Sequence, residues 1–597
     1  MRRGAAAVLV YAMLITSVAH AQNSITSGNL ADAAGMALDI RSVYDPLPPT
    51  GYAPMRIVAT NVGDEDGRWD FSFRSQTQKF RSENTHASRF QINVPARGTA
   101  SASFLVPLAV SYGNGAGYGT SSHRLFISLA AAGAGHRDFN DYSNRVHDFP
   151  AIAISKMLAD RNLAGLKNEV GQRMKSAGAS AMFGSVYTPV DLPEDWRGMS
   201  GFDVCLMTNT EWLSMKPGQR VAVIQWVRLG GQLDVYVNGT ITLSSLGITV
   251  DSEDRLSLGQ VNLLTWDGKD LDSEKTVARH WGQPSREKNL TVDYTNQTGS
   301  KPHMKPDWGL LDSLGARSFA SWQVIMFLII FGLLVGPVNL FLLAPQGKRH
   351  RLFVTTPLLS IGASLMMVVI ILFQDGVGGM GARLVVVNVV PEEAAAYVTQ
   401  EQASRTGVLL GGGFELKQPA LVEPLALPDT PWVKLKNTIT SQSVQLSQEG
   451  GQRGGNYFRS RAEQGQILRA AVSTRARLEL KAGLPVDAAP EIISALGFTL
   501  DTLFYVDAKG LVWKAIQALS TGQQVKLVRS DFAALRESWK EVSALSEGHI
   551  IRGIYDSPAR STFFATAIQA PDFTLETLTS IRWKQDHVAV FGLLAQP

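Results

Sequence analysis

Residues 202–237 read FDVCLMTNTEWLSMKPGQRVAVIQWVRLGGQLDVYV. The stretch opens on one apolar run, FDVCLMT (202–208), and closes on another, QLDVYV (232–237). Each is short and nearly continuous, as strands buried on both faces are. Between them, KPGQRVAVIQWVRLGG (216–231) reads as an amphipathic helix, with Pro217 in its first turn and Gly230 at its C-terminal end. Strand and helix in alternation predict a parallel sheet covered on both faces.

The pattern extends outward. AIAISKML (151–158) and AMFGSVYTP (181–189) are strand-like, with helical DRNLAGLKNEVGQRMKS (160–176) between them, and QVNLLTWDG (260–268) adds another strand. An α/β domain is expected over 148–296, followed by a linker over 297–318. Upstream, WDFSFR (69–74) alternates Trp69, Phe71 and Phe73 with Asp70, Ser72 and Arg74. FQINV (90–94) does the same, and NVGDEDG (61–67) is a turn cluster. Short strands of this kind predict an immunoglobulin-like β-sandwich over 22–130.

Downstream, two stretches are long and uncharged enough to cross a bilayer: 319–344 and 352–374. Only a short loop over 345–351, holding the basic KRHR, separates them, and such a loop belongs on the cytoplasmic side. The two spans are therefore read as a transmembrane hairpin. Pro337 predicts a kink, and Asn339 is a polar group at the inner end of the first span. Gly332 and Gly336 have the spacing that lets helices approach closely; packing against the second span is preferred over dimerisation. The N-terminus, MRRGAAAVLVYAMLITSVAHAQ, reads as a signal peptide over 1–21, which places the N-terminal part on the same outer side as the hairpin does. The expected location is a bacterial inner membrane with both large flanks periplasmic.

After the spans, GVGGMG (376–381) reads as a flexible exit. RLVVVNVV (383–390), ARLEL (476–480), TLFYVDAKGLVWKA (502–515) and QQVKLV (523–528) read as strands. DFAALRESWKEVSALSE (531–547) is one helix ended by Gly548, with Phe532, Leu535, Trp539 and Val542 at helical spacing. A β-rich sandwich domain is expected over 380–597.

Composition narrows function. Charged residues are 18% of the chain and the net charge is +4, with no long run of like charge, so no nucleic-acid partner is expected. A single cysteine excludes an internal disulfide.

Residues 191–237, DLPEDWRGMSGFDVCLMTNTEWLSMKPGQRVAVIQWVRLGGQLDVYV, resemble the class I glutamine amidotransferase-like, flavodoxin-related fold. With GPVNLFLLAPQGKRHRLFVTTPLLS (336–360) and NYFRSRAEQGQILRAAVSTRARLEL (456–480), the chain is similar to bacterial membrane proteins that carry such a domain between a sandwich and two spans. The resemblance implies a gene neighbourhood of MoxR-type AAA ATPases and von Willebrand factor A-domain membrane proteins. It thus implies envelope membrane proteins as partners beside the lipid bilayer, and a role in a membrane complex.

The catalytic residues of that family do not carry over. At the place of its nucleophile, the turn after DVYV, stand Asn238, Gly239 and Thr240. Its later His-x-Glu pair is absent, leaving His280. Cys205 is the candidate nucleophile, but it sits among Val204, Leu206 and Met207 and reads as a core cysteine. The domain is read as catalytically inactive; a hydrolase with displaced residues and a cell-wall or carbohydrate-binding protein are the alternatives. Asp267, Asp270, Asp272 and Glu274 are candidate metal ligands, weighed against a turn at Asp267-Gly268 and a helix cap. His136, Asp138, Asp141, His147 and Asp148 are read as a solvated linker. The Gly-rich runs at 411–413 and 449–455 lack a phosphate-loop ending, so no cofactor is expected.

Overall fold

The structure is a computed structural model. It describes residues 24–29, 36–79, 82–109, 121–131, 135–146, 151–174, 183–250, 255–281, 308–315, 321–410, 415–425, 440–443, 445–446, 452–453, 458, 460–481, 488–546, 551, 554 and 556–595. The expected signal peptide, His147, Asp148, the glycines at 411–413 and Gly548 lie outside the described residues.

Among the described residues, the first region holds eight strands: β1 (Ser24–Asn29), β2 (Ala37–Ser42), β3 (Tyr52–Thr60), β4 (Gly67–Lys79), β5 (Ser82–Val94), β6 (Thr99–Pro107), β7 (Ser121–Ala131) and β8 (Gly135–Val146). One sheet runs β1-β2-β3-β6. A second runs β5-β4-β7-β8, and strand Thr440–Ser443, from beyond the apolar helices, joins β5 in parallel. The alternation along β4 does what its period requires. Trp69, Phe71 and Phe73 enter a core with Ile40 and Ile57 of the other sheet, while Arg68 and Asp70 face out. The segment read as a linker is corrected here: His136 and Asp138 lie on β8, paired with Ala130 and Ser128 of β7.

The middle region contains β9 (Ile152–Ser155), β10 (Ser185–Tyr187), β11 (Val204–Thr208), β12 (Gln232–Val237), β13 (Arg255–Leu256) and β14 (Gly259–Thr265). Their order is β10-β9-β11-β12-β14-β13, parallel throughout except for β13. Helix Pro217–Arg228 covers one face with Val223, Trp226 and Val227. Helices Lys156–Met174 and Ser273–His280 cover the other with Leu158, Leu166, Val170 and Val277. The strand expected over 151–158 ends at Ser155, because Leu158, Asn162, Leu166 and Val170 recur every fourth residue and are all buried.

The two apolar stretches form helices long and apolar enough to cross a membrane, with almost nothing buried. The first is α-helical over Ser321–Leu333 and π-helical over Leu334–Leu343. The wider π winding surrounds Pro337, whose missing N–H breaks the α pattern. The second helix spans Leu352–Asp375. Asn339 is fully buried between them: its amide donates to Thr356 at 2.9 Å and accepts from Thr355 at 2.6 Å. Gly332 and Gly336 do not serve this contact; a Cβ on either would meet nothing within 4 Å.

Beyond them, β15 (Gly379–Val390) and β16 (Ala395–Thr406) are neighbouring strands of a nine-stranded mixed sheet. Its order is Ala420–Leu425, Glu463–Ser473, β16, β15, Ile581–Leu593, Thr562–Ala567, Thr502–Val506, Val512–Lys514, Val528–Arg529. β15 and Ile581–Leu593 are parallel. A helix, Phe532–Leu545, docks on one face, and a three-stranded sheet of Leu478–Leu480, Glu491–Ser494 and Gln524–Lys526 packs on the other through Leu478, Ile492 and Val525. Leu535, Trp539, Val542 and Leu545 dock it; Phe532 lies at the surface, and the helix stops at Ser546 rather than Gly548. The exit after the second helix is held by backbone pairing. Gly376 and Gly378 take positive φ, Val377 bridges to Val408, and the strand begins at Gly379.

Candidate functional site

Cys205 is fully buried on β11, beside Ala153 of β9 and Leu233 of β12. Its sulfur lies 2.9 Å from the Tyr187 hydroxyl, which donates to the Leu206 carbonyl at 3.2 Å. Either group can donate across the shorter contact, and burial favours the neutral form of both. Burial pushes the Cys205 thiol up to about 12; the Tyr187 contact opposes this, and the Glu211 and Asp234 charges add to it. A nucleophilic cysteine needs the opposite shift.

His280 and Asp234 lie on the other side of the sheet. Asp234 pairs with Leu206, one residue out of phase with Cys205, so its side chain leaves by the opposite face. There its carboxylate accepts from Gln232 at 2.9 Å, Asn262 at 2.7 Å and Arg279 at 3.1 Å. His280, fully buried, sits 3.6 Å from the same carboxylate. The sheet therefore separates Cys205 from His280. The turn after β12 holds Asn238, Gly239 and Thr240 at the surface, with Gly239 at φ +92.

Ligands of open α/β sheets sit beyond the carboxyl ends of the strands, where the strand order reverses. Here that point lies between β9 and β11, and Glu211 occupies it. Its carboxylate accepts from the Ser155 hydroxyl at 2.7 Å, the Thr208 hydroxyl at 2.9 Å and the Thr208 amide at 3.0 Å. Thr208 and Glu211 form a reciprocal capping box on the short helix Asn209–Ser214. The sequence reading missed Glu211, although T-x-x-E at 208–211 is the signal for such a box.

The four acidic candidates after β14 do not converge. Asp267 accepts from the Lys269 amide at 2.9 Å across a turn at Gly268. Asp272 caps helix Ser273–His280 through the Lys275 amide at 3.0 Å, and Asp270 and Glu274 are exposed. Among the described residues, no group of three or more His, Cys, Asp or Glu side chains could hold a metal ion.

Contacts between the flanks of the helical pair were not visible in the sequence. Arg228 grips Glu393 with Nη2 2.6 Å and Nε 3.0 Å from Oε1, and Tyr397 also donates to Glu393. Ser257 donates to Asn388 at 2.5 Å. Trp308 donates to Glu401 at 3.2 Å. Arg405 reaches the Gly315 carbonyl at 2.7 Å, while the Val408 amide bonds the Gly376 carbonyl at 3.0 Å. The entrance and exit of the helical pair therefore meet at one end of β16.

A cleft of about 1270 Å³ opens where the first region meets the middle one. Arg68, Asp70, Arg89 and Gln91 line it from the outer face of β4 and β5, with Asp195 and Arg197 opposite. Arg197 is tied to Asp195 at 2.7 Å and Arg68 to Asp70 at 3.4 Å. Arg89 has no carboxylate partner among the described residues.

No family model matches the chain, and no curated protein matches it. Solved structures give only slight likenesses. A solution structure from Arabidopsis thaliana is 12% identical at a TM-score of 0.12, covering 21% of this chain and 83% of that one. A Bacteroides uniformis beta-glucuronidase is 10% identical at a TM-score of 0.18, covering 41% and 38%. A Paenibacillus cycloisomaltooligosaccharide glucanotransferase is 10% identical at 0.15, covering 35% and 29%.

Proposed function

We propose that this is a membrane-anchored bacterial envelope protein that acts as an interaction or scaffold component of a membrane complex. On this reading the helical pair is a transmembrane hairpin, its basic loop is cytoplasmic, and both flanks are periplasmic. The observation that carries it is the joining of the flanks across the hairpin by Arg228 and Glu393. Two regions that touch must lie on one side of the bilayer. Lys348, Arg349 and Arg351 in the exposed turn support a cytoplasmic loop.

The strand order β10-β9-β11-β12-β14 supports a flavodoxin-related middle domain. The occupied crevice at Glu211 and the neutral thiol at Cys205 support its being inactive. Partners are envelope membrane proteins, with von Willebrand factor A-domain proteins as the first candidates. Co-purification of such a protein from native membranes, at reduced yield for Arg89→Glu, is the expected result. Turnover of amide or ester substrates by the purified chain, abolished in Cys205→Ala, would overturn the reading.

The cleft at Arg89 favours a second reading, cell-wall or carbohydrate binding, because guanidinium and amide groups line it. Binding to purified cell wall that falls in Arg89→Ala and Gln91→Ala would support it. Equal binding by all three chains would dismiss it.

A further inference from the structure

Leu410 is 91% exposed and Val377 is 64% exposed, and both stand on a hydrogen-bonded turn. The Gly378 amide donates to Val408 at 3.0 Å, Gly407 to Gly378 at 2.8 Å, and Arg461 to Gly407 at 2.8 Å. The Leu409 amide donates to the Ser460 hydroxyl at 2.9 Å, and the Leu409 side chain packs on the core, which leaves Leu410 directed outward. Moving an exposed leucine out of water into an apolar layer is favourable, so a nearby lipid interface would take it up.

Its position says what covers it. Helix Leu352–Asp375 ends one residue before Gly376, and Val408 is bonded to Gly376. Leu410 is two residues further, within about 7 Å along the chain. The headgroup layer outside a bilayer core is about 5–8 Å deep on each side. We propose that Leu410 and Val377 insert into the lipid interface of the bilayer that holds the hairpin, so that this end of the nine-stranded sheet rests on the membrane. The contact fixes the tilt of the exported body relative to the membrane, which tethers alone leave free. The proposal rests on the transmembrane reading of the two helices.

The test places a spin label at Leu410→Cys in the full chain in phosphatidylglycerol-containing lipid nanodiscs. Cys205 stays in place as a buried, unlabelled thiol, and Cys205→Ala provides a second background. Leu365→Cys, on the second helix, and Glu392→Cys, at the far end of β15, are the references; a twelve-residue strand puts about 40 Å between the ends of β15. Oxygen collision should exceed nickel-chelate collision at 410, to a degree between those at 365 and 392. A label at 410 as aqueous as that at 392, with 365 in lipid, would overturn the contact and leave the hairpin standing. An aqueous label at 365 would overturn the hairpin reading and the contact with it.

Discussion

Arg228 and Glu393 form a two-pronged ion pair although 165 residues and both apolar helices separate them in the chain. Arg228 closes the helix that covers the α/β sheet, and Glu393 turns the chain from β15 into β16. Tyr397 donates to the same carboxylate, and Arg228 lies 5.6 Å from its ring. The bond fixes the parts before and after the hairpin to each other.

Arg228→Ala should leave Glu393 part-buried without its cation. Because Glu393 keeps the Tyr397 bond and some solvent, the expected loss is about 1–3 kcal/mol, below that for a fully buried pair. A double-mutant cycle with Glu393→Ala should give a coupling of about 0.5–3 kcal/mol, measured by chemical denaturation in detergent. Additive losses would mean that the pair does not couple the two parts.

Asn339→Leu removes a buried amide that joins the two helices through Thr355 and Thr356. In a bilayer such bonds contribute about 0.6–1.7 kcal/mol. Reduced helix association in the variant, read by crosslinking between the two helices, is expected, with Thr355→Val showing a smaller effect.

Cys205 sets a pH dependence. Its folded thiol titrates near 12 and an unfolded thiol near 8.5. Between those values the folded chain holds a proton that the unfolded chain has lost. Its contribution is therefore complete below about pH 8.5 and is lost as pH rises toward 12, at about 1.4 kcal/mol per pH unit. The melting temperature should fall more steeply above pH 9 in the native chain than in Cys205→Ala. Parallel curves would contradict the buried neutral thiol.

Asp272 acts as a cap, so Asp272→Ala should lower the melting temperature, because the Lys275 amide loses its acceptor. Calcium or a chelator should shift the melting temperature of neither the variant nor the native chain. A calcium-induced rise lost in Asp272→Ala would restore the metal reading of that turn.

Local pattern made much of the fold legible. The alternation Trp69, Phe71, Phe73 marked a half-buried strand, and Pro217 and Gly230 bracketed a helix whose observed span is Pro217–Arg228. Cys205 could be read as a core residue because its neighbours are apolar. Relations across the sheet were not legible. That His280 faces Asp234 on the side away from Cys205 depends on the register of β11 with β12, which no local period specifies. The Arg228 and Arg405 contacts depend on the chain returning across the helical pair. The polar residues of β8 look like a loop because their pairing partner, β7, supplies the order.

The central claim is that one exported body is held by a hairpin. It is tested most directly by adding single cysteines at Asp138, His350 and Lys509 and treating intact spheroplasts with a membrane-impermeant maleimide. The account predicts labelling at 138 and 509 in intact spheroplasts, and at 350 only after permeabilisation. Labelling of 138 and 509 from opposite sides of the membrane would contradict it.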